Sequence, residues 1–300
     1  MSKRNLALLA ALGATTIYGL NHTIAKGVMP THIRPFGFIL LRVTGAAILF
    51  WLASLWIPKE KIARNDWGRL VLASLFGMVI NMLGFFKGLE LSTPINSAVL
   101  VTMTPIIVVV FSAILIKEKI YWRRGSGILI GLVGAVFLIL YGNEIRQDAP
   151  NIPLGNILFL INATFFGLYL ITVKKLTQKY HPFTLMKWLF LIAIPFNLPV
   201  GYTEFIAVDW SNLPFDALWK ISFVILGTTF CTYLFNIFAL RELKASTVSA
   251  FTYLQPVIGI LFAVFMGNDA LTAIKIIAVC LVLLGVYLAS RKPKVIKNNK

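Results

Sequence analysis

Long apolar runs that contain no charged side chain recur along the whole chain. Six of them span residues 6–25, 91–116, 125–143, 149–173, 221–240 and 245–268. Because an α-helix rises 1.5 Å per residue, about 20 residues cross a bilayer core that is roughly 30 Å thick. Four more runs are long enough if a charged side chain or a helix end reaches the membrane surface: 36–57, 67–87, 183–202 and 272–290. The pattern predicts an all-α integral membrane protein with ten transmembrane helices.

The composition agrees with a surface that faces lipid. Hydrophobic residues make up 58% of the 300 residues and charged residues only 13%, whereas a soluble domain carries about 25% charged residues. With a cytoplasmic N-terminus, twenty Lys and Arg residues fall on the cytoplasmic side and four on the other, as the positive-inside rule requires. We therefore expect a multi-pass protein of the cell (plasma or inner) membrane with both termini cytoplasmic. The net charge of +17 lies in short separate loops, so no nucleic-acid partner is expected.

The two halves of the chain repeat the same motifs in the same order. Residues 14–26 read ATTIYGLNHTIAK and residues 162–174 read NATFFGLYLITVK, and a Pro-Phe pair follows each stretch. Ten helices divide into two sets of five, and because five is odd, the second set begins on the opposite side of the membrane. The sequence thus predicts a 5+5 inverted-topology repeat, which many secondary transporters share. The expected units are residues 1–145, residues 150–292 and a basic cytoplasmic tail at 293–300.

The fourth and ninth predicted helices each carry a proline inside a long apolar run, Pro105 in one and Pro256 in the other. Thirteen residues later each has an acid, Glu118 or Asp269. A proline inside a helix removes one backbone hydrogen bond and bends the helix. A static bend is one interpretation. The matched placement favours another, in which both prolines are hinges of a moving element that is built twice.

Small residues predict where helices approach each other closely. Gly127 and Gly131 are four residues apart on the fifth predicted helix. Glycines at this spacing allow two helix backbones to come into contact. We interpret both positions as packing rather than binding.

These motifs resemble the EamA-type ten-helix exporters of the drug/metabolite transporter superfamily. The resemblance rests on NSAVLVTMTPIIVVVFSAILIKEKIYWRRGSGILIGLVGAVFL at 96–138, on its counterpart in the ninth and tenth helices, on FILLRVTGAAILF around Arg42, and on YGLN in the first helix. It implies a secondary transporter that exports small metabolites by alternating access. Amino acids and related zwitterionic or aromatic compounds are frequent substrates of the family. Efflux of drugs or toxic compounds by the same fold is the alternative.

Other functional classes find less support in the sequence. A Gly-x-x-x-x-Gly-Lys loop for ATP is absent, and so is the Gly-x-Ser-x-Gly motif of many hydrolases. The three histidines lie on separate elements, so no paired-histidine zinc motif is present. We therefore expect neither an intramembrane enzyme nor a cofactor. A membrane scaffold that transports nothing would need neither the repeat nor the polar stripes described next.

Polar residues on the predicted helices indicate where a substrate binds. On the eighth helix, Thr228, Thr232 and Asn236 are spaced four residues apart and form one stripe. The alternative is close helix packing, in which small polar residues bond their own backbone. An aromatic and amide lining suits a small zwitterionic molecule. The predicted substrate-binding residues are Tyr18, Asn21, His22, Asn81, Thr102, Tyr169, Thr232, Tyr233, Asn236, Tyr253 and Gln255.

Arg42 and His22 are the two residues of the predicted helices from which we expect a role of charge or proton binding. Arg42 is a charge within the membrane, and it either binds a substrate carboxylate or, in the favoured interpretation, extends to the surface or caps helix-end carbonyls. No Asp or Glu lies in the interior of a predicted helix, and His22 is the group near the expected cavity that titrates around neutral pH. Transport is expected to be either uniport or proton exchange through His22. The sequence leaves substrate identity and oligomeric state open.

Overall fold

The computed structural model describes residues 2–92, 94–117, 121–142, 150–265 and 273–290. Within these ranges the chain is helical, and ten helices follow one another as the sequence predicts. Glu118, Asp269 and the tail at 293–300 lie outside the described residues.

Four of these ten helices consist of consecutive segments, and the other six are continuous. In chain order they are α1 (Lys3–Lys26), α2 (Pro35–Ala53), α3 (Trp67–Ser74, Leu75–Ile80 and Asn81–Leu91), α4 (Pro94–Val101 and Thr104–Leu115), α5 (Trp122–Gly142), α6 (Ile152–Lys174), α7 (Pro182–Ile206), α8 (Phe215–Ser222, Phe223–Cys231 and Thr232–Glu242), α9 (Ala245–Ala250, Phe251–Tyr253 and Leu254–Phe265) and α10 (Ala273–Ser290). Short 3-10 turns lie beside them at Ser54–Trp56, Arg64–Asp66, Leu176–Gln178 and Trp210–Asn212.

Several of the helices meet the length and hydropathy of a membrane span. In the described part of the chain these are Pro35–Trp56, Arg64–Leu91, Ile152–Gln178, Pro182–Ile206 and Phe215–Glu242. The shorter apolar helices are Thr104–Leu115, Gly125–Gly134 and Ile276–Ala289. Helix α1 is more polar because it carries Thr15, Asn21 and His22, all of which are buried inside the bundle. Such side chains are tolerated in a membrane helix when they face protein or a cavity rather than lipid.

The helices of the two halves exchange partners. Helix α1 packs against α8, and its counterpart α6 packs against α3. Helix α1 also contacts α9, while α6 contacts α4. Two further pairs, α2 with α7 and α5 with α10, each join a helix to its own counterpart. Two five-helix units related by a two-fold axis produce this reciprocal pattern, and the predicted 5+5 arrangement is confirmed.

A lysine at the end of the first helix in each half caps the third helix of that half. The Lys26 ammonium donates to the Leu89 carbonyl at 2.7 Å, and the Lys174 ammonium donates to the Leu243 carbonyl at 2.8 Å. The last carbonyls of a helix lack intrahelical donors and carry partial negative charge. The repeated sequence motif thus corresponds to the same cap in both halves.

Glycines bring α5 and α10 close together. A Cβ atom on Gly127 would lie 2.7 Å from the backbone nitrogen of Ala289, and one on Gly134 would lie 2.8 Å from the carbonyl oxygen of Ala278. Backbone atoms cannot yield to such contacts unless the two helices separate. A Cβ on Gly131 would lie 2.6 Å from a tyrosine ring of α9. Gly127 and Gly131 are packing positions, as predicted.

The expectation of mid-helix bends at Pro105 and Pro256 is wrong in its geometry, because each proline follows a break. Helix α4 is interrupted at Thr102 and Met103, and Pro105 lies in the first turn of the second segment. Helix α9 changes to a 3-10 segment at Phe251–Tyr253 and resumes just before Pro256. A proline lacks an N–H, so it fits the first turn of a helix, where no intrahelical acceptor is needed. The two breaks occupy matched places in the repeat.

Helices α3 and α8 also share an irregularity that the residue pattern did not predict. Each contains a π-helical segment, Leu75–Ile80 in one and Phe223–Cys231 in the other. In α3 the Gly77 carbonyl within this segment accepts a hydrogen bond from the Tyr233 hydroxyl of α8 at 2.9 Å. Segments of this kind are rare and frequently occur at functional sites.

Candidate functional site

A cavity lies between the two halves of the bundle. Residues of α1, α2, α3, α4, α6, α8 and α9 line it. The space in it that is open to a water-sized sphere is about 70 Å³, smaller than the roughly 300–1,000 Å³ of typical small-molecule sites. The lining residues are Tyr18, Asn21, His22, Arg42, Asn81, Met82, Phe85, Phe86, Val101, Thr104, Asn162, Phe166, Thr228, Tyr233, Thr252 and Gln255.

The structure brings together six of the eleven residues that the sequence predicted to bind substrate. These are Tyr18, Asn21, His22, Asn81, Tyr233 and Gln255. They come from α1, α3, α8 and α9, so both halves contribute. Polar side chains in long apolar helices pointed to this surface because an amide or imidazole facing lipid would be costly.

Tyr169 and Tyr253 do not line the cavity, contrary to the prediction. Both side chains are fully buried. The Tyr169 ring lies against Gly77, and the Tyr253 ring lies against Gly131. A tyrosine ring buries a large apolar area, and the missing Cβ of each glycine leaves room for it. These two rings therefore act as wedges between helices.

Thr102, Thr232 and Asn236 also lie behind the cavity wall, which corrects the prediction for them. The Thr232 hydroxyl donates to the Thr228 carbonyl of its own helix, a common way for threonine to be satisfied in a membrane helix. Thr102 is fully buried at the break in α4. Asn236 lies beside the Tyr18 hydroxyl and so supports a lining residue. In the predicted stripe on α8, Thr228 is the member that reaches the cavity.

Several lining residues were not among the candidates from the sequence. They are Met82, Phe85, Phe86, Val101, Phe166 and Thr252. An apolar side chain that faces a cavity produces the same residue pattern as one that faces lipid. A weaker signal existed, because Phe85 follows Asn81 by four residues and Phe166 follows Asn162 by four, which puts each pair on one helix face.

His22 connects three helices at the cavity wall. Its Nδ1 lies 2.8 Å from the Ser97 hydroxyl of α4, and its Nε2 lies 3.1 Å from the Gln255 side-chain oxygen of α9. The ring also meets Phe85 of α3 edge-on, with 5.4 Å between ring centres. His22 is therefore fixed in position by partners from both halves.

Asn81 and Asn162 form a reciprocal pair in the cavity lining. The Asn81 side-chain nitrogen donates to the Asn162 carbonyl at 3.2 Å, and the Asn162 side-chain nitrogen donates to the Asn81 carbonyl at 3.0 Å. Each amide thus satisfies a backbone carbonyl of the neighbouring helix. The pair joins α3 to α6 and leaves both side-chain oxygens without a role in this contact.

Arg42 lies in the cavity wall and does not extend to the membrane surface, so the favoured interpretation of it is wrong. The residue is 3% exposed. Its Nε donates to the Thr229 hydroxyl at 2.9 Å, and its guanidinium carbon lies 4.4 Å from the centre of the Phe86 ring. The side chain is directed inward because α8 and α3 supply these two contacts.

The acidic residues within the described part of the chain lie away from the cavity. They are Glu60, Asp66, Glu90, Glu204, Asp209, Asp216 and Glu242. Four of them are paired with a base: Arg34 with Glu204, Lys87 with Glu90, Lys179 with Asp66, and Lys220 with Asp216. The same described residues contain no group of three or more His, Cys, Asp or Glu side chains that could hold a metal ion.

Comparison with known proteins identifies the family. The model of the EamA-like transporter family matches residues 5–140 and 153–291, one match for each half of the bundle. The chain belongs to the EamA-like transporter family. It is therefore a multi-pass membrane transporter of the drug/metabolite transporter superfamily, and not an enzyme.

Several known proteins resemble this chain along most of their length. Uncharacterized transporter YyaM of Bacillus subtilis (strain 168) is 24% identical over 243 residues, which cover 81% of this chain and 79% of the relative. Uncharacterized transporter YetK of the same organism is 22% identical over 297 residues, which cover 98% and 89%. A chain of known crystal structure is 18% identical and superposes with a TM-score of 0.76 over 95% of this chain and 97% of its own, so the two share a fold.

Proposed function

We propose that this EamA transporter is a secondary exporter of small metabolites, namely amino acids or related zwitterionic and aromatic compounds. In this proposal the substrate binds in the cavity between the halves, and the bundle opens to the two sides of the membrane in turn. The observation that carries it is the cavity itself, to which both halves contribute amide, hydroxyl and aromatic groups. Such a lining orients a small molecule through a few polar groups while burying its apolar part.

The orientation of the chain belongs to the same proposal. Both termini are cytoplasmic, because twenty Lys and Arg residues then fall on the cytoplasmic side and four on the other. The energy source is either the substrate gradient alone or an exchange of substrate for protons through His22. Histidine is the side chain whose unperturbed pKa lies closest to neutral pH, and His22 is the histidine among the lining residues.

Transport is tested by filling the cavity. Thr228 lines the cavity, and its hydroxyl has no hydrogen-bond partner in the described structure. A Thr228→Phe variant adds a ring to the cavity without removing a structural bond. Thr203→Phe is the matched control, because Thr203 is exposed at the far end of α7.

Cells that overproduce each form are compared for the metabolites that accumulate in the medium. The compounds enriched by the wild type are then measured by counterflow in proteoliposomes. We expect Thr228→Phe to lower counterflow by more than tenfold and Thr203→Phe to leave it unchanged. Equal counterflow by all three forms, or enrichment of organic cations in place of amino-acid-like compounds, would contradict the proposal; the second result would favour drug efflux.

A further inference from the structure

We propose that Arg42 binds the carboxylate of the transported molecule, so that the cavity selects small monocarboxylates that also carry an apolar or aromatic body. This rests on the proposed function, since it takes the cavity as the substrate site. It adds the chemical group that a substrate must have and the residue that recognises it.

The first argument is the charge balance around Arg42. The residue is 3% exposed, and a buried charge without a counter-ion is costly in a protein within a membrane. The described acidic residues lie outside the cavity, and none forms an ion pair with Arg42. A ligand that brings its own negative charge supplies the counter-ion that the described residues do not.

A structural role as a helix cap does not describe the contacts of Arg42. Lys26 and Lys174 show what such a role looks like in this fold, because each donates to backbone carbonyls at a helix end. Arg42 instead contacts a hydroxyl and an aromatic ring. Its Nε bonds Thr229, while its two terminal nitrogens form no hydrogen bond within the described chain.

The guanidinium is held in an orientation that suits a carboxylate. Thr229 fixes the Nε side, and the Phe86 ring lies 4.4 Å from the guanidinium carbon, a distance at which cation and ring attract each other. The edge of the guanidinium that carries the two terminal nitrogens takes part in neither of these contacts. That edge matches the two oxygens of a carboxylate, which arginine binds through two parallel hydrogen bonds.

The number of charges argues for a monoanion. Arg42 is the cationic residue of the cavity lining, and no Lys or second Arg from the described chain joins it there. A phosphate ester with nearly two negative charges at neutral pH would leave part of its charge unmatched. A single carboxylate is neutralised by one guanidinium.

The other lining residues indicate which chemical groups the rest of the ligand carries. The Asn21 side-chain oxygen and the Thr228 hydroxyl are buried without a partner in the described structure. Both can accept a hydrogen bond from an ammonium, amide or hydroxyl group. The rings of Phe85 and Phe166 offer apolar contact on other sides. An amino acid satisfies all of these groups, whereas an organic cation without a carboxylate leaves Arg42 unpaired.

The test compares ligands that differ in one group. The probes are L-phenylalanine, 3-phenylpropanoate, L-phenylalaninamide and phenethylamine, together with L-leucine, 4-methylpentanoate, L-leucinamide and 3-methylbutylamine. Binding to the purified full chain in lipid nanodiscs is measured by calorimetry. We expect the carboxylates to bind and removal of the carboxylate to weaken binding by about 10- to 100-fold, as for a lost hydrogen-bonded ion pair.

Variants then assign the effect to Arg42. Arg42→Gln is expected to lower carboxylate affinity by about 10- to 100-fold, and Arg42→Lys by less, because lysine keeps the charge but loses the paired donors. Lys187→Gln is the matched control. It removes a cation that lies against the Trp51 ring and not in the cavity, and we expect no change in affinity.

Three results would overturn the inference: equal binding of the amines and the amino acids, wild-type carboxylate affinity in Arg42→Gln, or no binding of any carboxylate probe. The probe series on the wild type decides the matter even if Arg42→Gln does not fold. Counterflow of uncharged aromatic compounds without a carboxylate, abolished by Thr228→Phe, would keep the proposed function and remove this inference. Carboxylate binding through Arg42 without any counterflow would keep Arg42 as the carboxylate-binding residue and remove the proposed function.

Discussion

His22 is placed so that it can take up or release a proton while keeping both of its hydrogen bonds. The Gln255 oxygen accepts from Nε2–H in either state. The Ser97 hydroxyl is both donor and acceptor, so it donates to a bare Nδ1 and accepts from a protonated one. The ring is also buried at 7% exposure on the cavity wall. In the proposed function, protons reach this ring through the cavity that it lines.

We predict that His22→Gln abolishes the response of transport to an imposed pH gradient. Glutamine preserves the hydrogen-bonding capacity and the approximate size of the side chain but cannot titrate. Counterflow without a gradient should persist at a similar rate, because substrate contacts remain. Measurements in proteoliposomes with acid inside and outside in turn test this, with Thr203→Ala as the control. A variant that responds like the wild type would exclude His22 as the proton carrier, and a wild type without any response would indicate uniport.

At the level of single residues, sequence reasoning found the polar part of the site and not the apolar part. Asn21 and Gln255 could be inferred because amides have a high cost in lipid. Phe86 could not, since a phenylalanine in a membrane helix is equally stable against lipid, protein or a cavity. Tyr253 was misplaced for a related reason: its ring fills the space left by Gly131 on another helix, and that contact between helices leaves no trace in the local spacing.

At the level of helices, the four that are broken or irregular all line the cavity. Helices α4 and α9 are interrupted just before Pro105 and Pro256, and α3 and α8 contain the π segments. By contrast, the α5–α10 pair is continuous and held at backbone contact by glycines. Irregular backbone is tolerated at membrane depth where protein or a cavity satisfies the freed groups. We expect motion to concentrate in the four irregular helices and the α5–α10 pair to stay fixed.

If α5 and α10 form a fixed pair, alanine substitutions at two neighbouring glycines of α5 should differ in their effect on stability. A Cβ on Gly127 would meet backbone atoms of α10, whereas one on Gly125 would meet no described residue within 4 Å. We expect Gly127→Ala to destabilise the protein by about 1–3 kcal/mol, as overpacking does. Gly125→Ala should be neutral or slightly stabilising, since alanine favours a helix. Thermal unfolding in detergent compares them, and equal midpoints would show that the helices are not in backbone contact.

The helices themselves could be predicted because a span of about 20 apolar residues is a strong signal, and all ten were found. The proline breaks were partly predictable, because Pro105 and Pro256 had to disturb the backbone. The π segments were not, since Gly77 and Thr228 look like ordinary helix residues. One contact that the local spacing does not reveal is the Tyr233 hydrogen bond to Gly77 within the π segment of α3.

At the level of the whole molecule, the two halves exchange helix partners, and the proposal that one cavity serves both membrane faces rests on this exchange. Helix α1 packs on α8 and α9, and α6 packs on α3 and α4. Each half therefore holds helices of the other. In the proposed function, a rocking motion about the two-fold axis exchanges the two arrangements. The repeated motifs in the sequence predicted this architecture. They did not predict where along the axis the cavity lies, because that depends on side chains from seven helices at once.

The most direct test of this account is the chemical accessibility of the cavity from each side of the membrane. A Thr228→Cys variant is made in a chain whose two native cysteines, Cys231 and Cys280, are replaced by alanine. Right-side-out and inverted vesicles are then treated with a maleimide that cannot cross the bilayer. Thr102→Cys is the control, because Thr102 is fully buried behind the cavity wall.

We predict that the cysteine at position 228 reacts in both kinds of vesicle, that the compounds found by counterflow slow the reaction in both, and that the cysteine at position 102 reacts in neither. Labelling of position 228 from one side only, in the presence and absence of those compounds, would contradict a cavity that opens alternately to the two faces of the membrane.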